Sequence, residues 1–182
     1  MTEIRLLGIC GSLRKASHNM TLLKTAQQLL PQGVTLQIAD LTEVPFFNAD
    51  LTSKPAAVVA LLDAFRQADG LLFACPEYNY SIAPALKNAL DWASREPDNH
   101  LLAGKAAAIM GAGGGMGTSR AQYHLRQVGV YLDLHFVNKP EVFVNAFSGV
   151  FAADGALLDD KIRANIQAQL IALQALVTQC KK

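Results

Sequence analysis

Cysteine is scarce in this sequence: three among 182 residues, Cys10, Cys75 and Cys180. So few, so far apart and odd in number, they argue against a disulfide framework, and no CxxC pair offers a metal or redox site. They read as small apolar side chains in a reducing cytoplasm. The four histidines, His18, His100, His124 and His135, show neither HxxxH nor HExxH spacing, so a metal site is not supported. Charge is also sparse and balanced. Charged residues are 17% of the chain, sixteen basic against fifteen acidic, for a net +1. That balance gives no global reason to expect nucleic acid or an anionic membrane as partner. No apolar run reaches the ~18 residues that span a bilayer. Met1 to Arg5 shows no basic region leading into a signal-type apolar stretch, so the expected location is cytoplasmic.

What is plentiful is apolar side chain, 51% of residues. Disorder is therefore excluded, and the length suits one domain over 1–182 with a core that needs no staple. Ile4 to Cys10 is a short, nearly continuous apolar run, the pattern of a strand covered on both faces. Leu22, Leu23, Ala26, Leu29 and Leu30 recur at helical spacing and stop before Pro31. Val34 to Ile38 alternates as a strand nearer a sheet edge. A long loop spans 41–54, and a helix follows Pro55. Gly70 to Cys75 reads as the third strand. Pro84 opens another helix through Leu86, Leu90 and Ala93. The fourth strand is expected over Lys105 to Met110, followed by a glycine-rich turn at 111–115. A helix over Thr118 to Val128, a fifth strand over Val130 to Val137 and a C-terminal helix over Asp159 to Gln179 complete the chain. Alternating strands and helices argue for a five-stranded parallel sheet with helices on both faces. Ligands of such sheets bind beyond the carboxyl ends of the strands.

The loops after strands one, three and four therefore carry the candidate chemistry. Gly11 to Asn19 delivers two hydroxyls, a guanidinium and an amide to a helix N-terminus, which are the donors and charge a phosphate requires. It matches neither GxxxxGK[ST] nor GxGxxG, which weakens the case for ATP hydrolysis and for the usual dinucleotide fingerprint. The same residues also suit an ordinary strand-to-helix turn with Ser17 or Asn19 as N-cap. Pro76 to Pro84 holds Glu77, Tyr78, Asn79 and Tyr80 between two prolines, a stiff turn whose flat aromatics suit a planar heterocycle or simply cover a neighbouring helix. The glycines at 111–115 permit close approach of backbone to a ligand or serve only as a flexible turn.

Gly11-Ser12-Leu13-Arg14…Ser17…Asn19, together with Pro76-Glu77-Tyr78-Asn79-Tyr80-Ser81…Pro84…Leu86-Lys87-Asn88-Ala89-Leu90-Asp91-Trp92-Ala93-Ser94-Arg95, resembles the NADPH-dependent FMN reductase family. Gln122 to Gln127 and the pair Lys139-Pro140 look most like its bacterial chromate and quinone reductase branch. The resemblance spans about residues 4 to 145 and implies a flavodoxin-like three-layer sandwich. It implies an FMN phosphate held by Ser12, Arg14, Ser17, His18 (through its backbone) and Asn19. It sets the flavin ring against Pro76, Glu77, Tyr78 and Asn79, with the fourth-strand turn, Gly113 among its residues, also approaching. Met110-Gly111-Ala112 departs from the hydroxyl residues that related proteins carry at the start of that turn.

The resemblance further implies NADPH or NADH as electron donor and small-molecule acceptors: quinones, free flavin, chromate or similar compounds. The flavin does the chemistry, so no catalytic acid or base is singled out; Glu77 reads equally as a solvated or capping carboxylate. Members assemble as dimers or tetramers, so a homodimer or homotetramer is expected, with Tyr123, Arg126 and Gln127 of the fourth helix, Tyr80 and Trp92 as boundary candidates. The competing reading is a flavodoxin-like electron carrier working with protein partners. Near-neutral charge favours the enzyme.

Overall fold

In the computed structural model, which describes residues 3–181, the chain runs β1 (Ile4–Cys10), α1 (His18–Gln28), β2 (Val34–Ile38), α2 (Ala56–Gln67), β3 (Gly70–Ala74), β4 (Glu77–Tyr78), β5 (Ser81–Ile82), α3 (Pro84–Ala93), β6 (Ala106–Gly113), α4 (Ser119–Tyr131), β7 (His135–Phe136), β8 (Val142–Asn145) and α5 (Asp160–Cys180). The main sheet is parallel in the order β2-β1-β3-β6, and β7 and β8 both pair with the outer side of β6. This is the flavodoxin-like arrangement. The order reverses between β1 and β3, the switch point at which ligands of such sheets bind.

Side-chain alternation along the buried strands divides the core in two. Leu7, Ile9, Leu71, Phe73, Ala107 and Ile109 pack with Leu61, Phe65, Leu86, Leu90 and Leu125 of α2, α3 and α4. Leu6, Cys10, Leu72, Ala74, Ala108 and Met110 pack with Leu22, Leu23, Ile166, Leu170 and Val177 of α1 and α5. Six of the seven β1 residues are buried, as a strand covered on both faces must be. Local signals set the helix ends. The Ser17 hydroxyl caps α1 by accepting from the Met20 amide at 3.2 Å, and the Asp159 carboxylate caps α5 by accepting from the Ile162 amide at 2.9 Å. Pro84 occupies the start of α3.

The motif on α3 has a structural use. Asn88 accepts from the Phe47 amide and donates to Pro45 O, and the Trp92 indole donates to the same carbonyl at 2.8 Å. Phe47 meets the Trp92 ring edge-on at 5.0 Å. These contacts pin the 41–54 loop. Trp92 is buried, which removes it as a subunit-boundary residue.

Three elements differ from expectation. The fourth strand does not end at Met110: β6 continues to Gly113, because Met110, Gly111, Ala112 and Gly113 pair with Val142, Phe143, Val144 and Asn145 of β8. Helix α4 runs on to Tyr131, so Val130 is helical; Gly129 lets the helix lie against the Phe136 ring, where a Cβ would come within 2.1 Å. Of the expected fifth strand, Val130 to Val137, only His135–Phe136 (β7) pairs with the sheet, and β8, beyond the cis Lys139-Pro140 peptide, lies outside the expected range.

Gly111 shows why this stretch is glycine-rich. A Cβ there would lie 2.0 Å from Thr118 Oγ1 and 2.5 Å from the Cys75 carbonyl oxygen. Both neighbours are buried and one is backbone, so neither can withdraw cheaply. Gly111→Ala is expected to cost about 3 kcal/mol by overpacking, lowering the melting temperature by about 6–12 °C. Gly114→Ala, with nothing within 4 Å, is expected to melt within about 2 °C of wild type, since open surface changes are near neutral. Thermal unfolding of the pair checks this; equal melting temperatures would contradict it.

Candidate functional site

The carboxyl ends of β1, β3 and β6 lie in register, Cys10 beside Ala74 and Ala74 beside Met110. The Gly11 amide donates to Ala74 O and the Cys75 amide to Met110 O, which carries the sheet one step beyond the strands. Three loops leave this edge together.

In the first loop, Ser12 and Ser17 are buried while Arg14 and Lys15 stand exposed. Ser17 is the N-cap of α1, and its carbonyl accepts from Thr21. The amides of His18 and Asn19, the first two of the helix, have no hydrogen-bond partner among the described residues. Free amides at a helix N-terminus are donors of the kind an anion can use. The His18 ring is turned aside and stacks on Phe151, 4.1 Å between centroids and 3° from parallel. Asn19 contributes no free side chain: Nδ2 donates to Ala112 O at 2.8 Å and Oδ1 accepts from the Ala112 amide at 3.0 Å. It ties α1 to β6. Beside the loop lies a depression of about 350 Å³ lined by Ser12, Arg14, Lys15, Met20, Asp40 and Thr42.

The second loop is a hairpin. β4 and β5 pair antiparallel around Asn79 and Tyr80, whose φ angles of 51° and 67° make a left-handed two-residue turn. Tyr78 and Tyr80 are exposed, and Pro76 is buried against Gly11, where a Cβ would sit 2.8 Å from Pro76 Cδ. The first loop and the base of the hairpin are therefore in contact. Glu77 is not a solvated carboxylate. It pairs with Arg120 and accepts from the Ala121 amide, which is the capping alternative.

The third loop turns tightly after β6. The Gly117 amide donates to Gly114 O at 2.8 Å, and Gly113 is packed against Gly117, where a Cβ would lie 2.6 Å from its carbonyl oxygen. Gly114 and Gly115 are open to the outside. Sequence reasoning missed the residues that hold this loop. Thr118 is fully buried, and its hydroxyl accepts from Gln122, whose amide also donates to Val142 O. Gln122 belongs to the stretch that carries the resemblance, but nothing in the local pattern marks it as buried.

The combination on one edge is thus a helix start with uncommitted amides, an aromatic hairpin and an open glycine turn. The description NADPH-dependent FMN reductase matches residues 4–149 of the chain. An NAD(P)H-dependent FMN reductase of Pseudomonas aeruginosa is 50% identical over 98% of each chain. An NAD(P)H:quinone oxidoreductase of Solanum tuberosum is 48% identical over 98% of this chain and 95% of its own. The chain belongs to the NADPH-dependent FMN reductase family. Among solved structures, the flavoenzyme FerB of Paracoccus denitrificans, titled an NAD(P)H:(acceptor) oxidoreductase, superposes with a TM-score of 0.84 at 30% identity, covering 98% of this chain and 97% of its own. The family's fold is the one described above.

Two thiols stand just behind the edge of this family member. Burial pushes the Cys75 thiol up to about 12, and the neighbouring Glu77 carboxylate adds to the shift. Burial raises Cys10 as well. Both are neutral at physiological pH, and a neutral thiol is a poor nucleophile. They lie on opposite faces of the sheet, each in its own core cluster, so they are not placed to bridge. Cys180 departs from the apolar-packing expectation and is exposed. Alkylation of the native protein at pH 8 is expected to modify Cys180 alone, with Cys10 and Cys75 reacting only after unfolding. Peptide mass analysis checks this, and native labelling of Cys75 would refute it.

Proposed function

We propose that the chain, as one domain over 1–182, binds FMN along the carboxyl edge of its sheet. It transfers electrons from NADPH or NADH through the flavin to quinones, free flavin, chromate or similar small acceptors. The observation that supports this most is the pairing, on one edge, of the uncommitted amides of His18 and Asn19 with the Tyr78–Asn79 hairpin. The first suits a phosphate and the second a flat ring. Family membership and relatives named as FMN and quinone reductases support the same reading.

Hydride acceptance and electron release are the chemistry FMN supplies when bound. The chain's own groups bind and orient it. Ser12, Arg14, Ser17 and the amides of His18 and Asn19 receive the phosphate. Pro76, Glu77, Tyr78 and Asn79 present the ring-side backbone. Gly113 shapes the turn opposite. Location in the cytoplasm is supported by three unpaired cysteines, and no helix among the described residues is long and apolar enough to cross a membrane.

Assembly as a homodimer or homotetramer is supported by α4. Tyr123, Gln127, Val130 and Tyr131 fall at i, i+4, i+7 and i+8 on one exposed face, Val130 being 81% and Tyr131 79% accessible. Arg126 is otherwise committed, donating to Val137 O at 2.8 Å, so it is a poor probe of the interface. Val130→Asp is expected to shift the sedimenting species toward the ~20 kDa chain, because a buried unpaired charge at an interface is costly, with the far-ultraviolet spectrum unchanged. A wild type that sediments as a monomer at micromolar concentration would remove this part of the proposal.

The function itself is tested on the purified protein. It is expected to be yellow, to bleach anaerobically with NADPH or NADH, and to recover colour on adding a simple quinone. Arg14→Ala is expected to weaken FMN binding by about 10- to 100-fold, the loss of a charge-assisted bond, and to leave riboflavin binding unchanged. A protein that binds FMN and riboflavin equally would contradict the phosphate assignment. One that neither nucleotide bleaches would contradict the activity.

A further inference from the structure

Glu77 stands at the start of the hairpin, where a flavin contact is expected, yet its carboxylate is occupied elsewhere. The side chain is 10% exposed. One oxygen accepts from Arg120 Nε at 2.8 Å and the other from the Ala121 amide at 3.2 Å. Ala121 is the third residue of α4, the position a helix cap normally satisfies. The residue that should supply that cap, Thr118, makes no side-chain cap bond, its hydroxyl serving Gln122 instead. Glu77 therefore caps α4 from a different element, and a carboxylate there is favoured by the helix dipole. Two further contacts run alongside. The Arg120 guanidinium carbon lies 3.7 Å from the Tyr80 ring centroid, and Ser81 Oγ and His124 Nδ1 are 2.8 Å apart. The hairpin is thus fastened to the first turns of α4, and α4 follows directly on the glycine turn. The two loops proposed to flank the flavin ring are joined here, with Glu77 making two of the contacts.

We propose that Glu77 is a positioning residue. Its carboxylate sets the gap between the hairpin and the glycine turn in which the flavin ring is held, and it acts through Arg120 and the α4 amide rather than on the ring. This rests on the FMN reading above.

The test is a double-mutant cycle in the full-length chain stripped of flavin: Glu77→Ala, Arg120→Ala and the two together, with Glu77→Gln beside them. Each is titrated with lumiflavin, which has the ring but no phosphate, and with FMN. Each single alanine variant is expected to weaken lumiflavin about 10-fold, with FMN weakened by the same factor, since the phosphate loop is untouched. The double variant is expected to lose less than the product of the two single losses, because the Glu77–Arg120 contact they share is lost only once. Glu77→Gln can still accept from the Ala121 amide and is expected to lose only about threefold (about 0.7 kcal/mol). Should the alanine variants unfold, the glutamine variant decides alone. Three results would overturn the inference: wild-type lumiflavin affinity in Glu77→Ala or, where only it folds, in Glu77→Gln; independent, multiplying losses in the double variant, which would mean that Glu77 acts on the ring directly; or a change in the ratio of FMN to lumiflavin affinity, which would mean general loosening. A wild type that binds neither flavin removes the FMN reading and this inference with it.

Discussion

One asparagine side chain joins the two ends of the site. Asn19 sits at the start of α1, beside the loop proposed to hold a phosphate, and it exchanges both hydrogen bonds of its amide with the backbone of Ala112 on β6. Between β1 and β6 lies β3, so the bridge spans the switch point of the sheet. Asn19 and Ala112 are both buried, and a buried backbone amide and carbonyl left without partners cost far more than the bond itself contributes. The helix N-terminus that would receive the phosphate is thereby held in register with the turn that would border the ring. A cofactor bound across such an edge meets a surface already ordered, which lowers the entropic cost of binding.

The same device recurs around β6. Gln169 of α5 reaches over to donate to Ile109 O and Pro140 O, and Gln122 of α4 donates to Val142 O. Each helix packed near the outer part of the sheet sends one buried amide to a backbone carbonyl there. Apolar packing is nondirectional and tolerates small slides. Hydrogen bonds from buried amides do not, because any slide leaves a group unsatisfied. The hydrophobic clusters on the two faces supply the cohesion, and these three side chains fix where the C-terminal edge of β6 lies.

This division explains what could be read from the sequence. The apolar runs at Ile4–Cys10 and Gly70–Ala74 and the helical spacing of Leu22, Leu23 and Ala26 are local properties, and they suffice for the alternating order and hence for the fold. The end of β6 is not local. Met110-Gly111-Ala112-Gly113 has the composition of a turn and stays extended only because β8, some thirty residues further on, pairs with it. Val130 resembles the start of a strand but is held in α4, since Gly129 seats the helix on Phe136. The site shows the same limit. Its residue types and the motif resemblance point to Ser12, Ser17, Asn19 and Glu77, and the Ser17 cap is legible too, because its partner Met20 lies only three residues on. The partners of Asn19 and Glu77 are not local: Asn19 bridges to β6 and Glu77 turns its carboxylate to α4, each an element distant along the chain.

The central claim is that the carboxyl edge of β1, β3 and β6 is one preformed flavin cradle, with its phosphate end at the start of α1 and its ring end between the hairpin and the glycine turn. The structure of the protein crystallised with FMN tests it directly. The account predicts the phosphate on the amides of residues 17–19 beside Arg14, the ring between residues 76–80 and 113–117, and the Asn19–Ala112 bridge unbroken. A phosphate bound away from the start of α1, or a ring bound away from the hairpin, would contradict it.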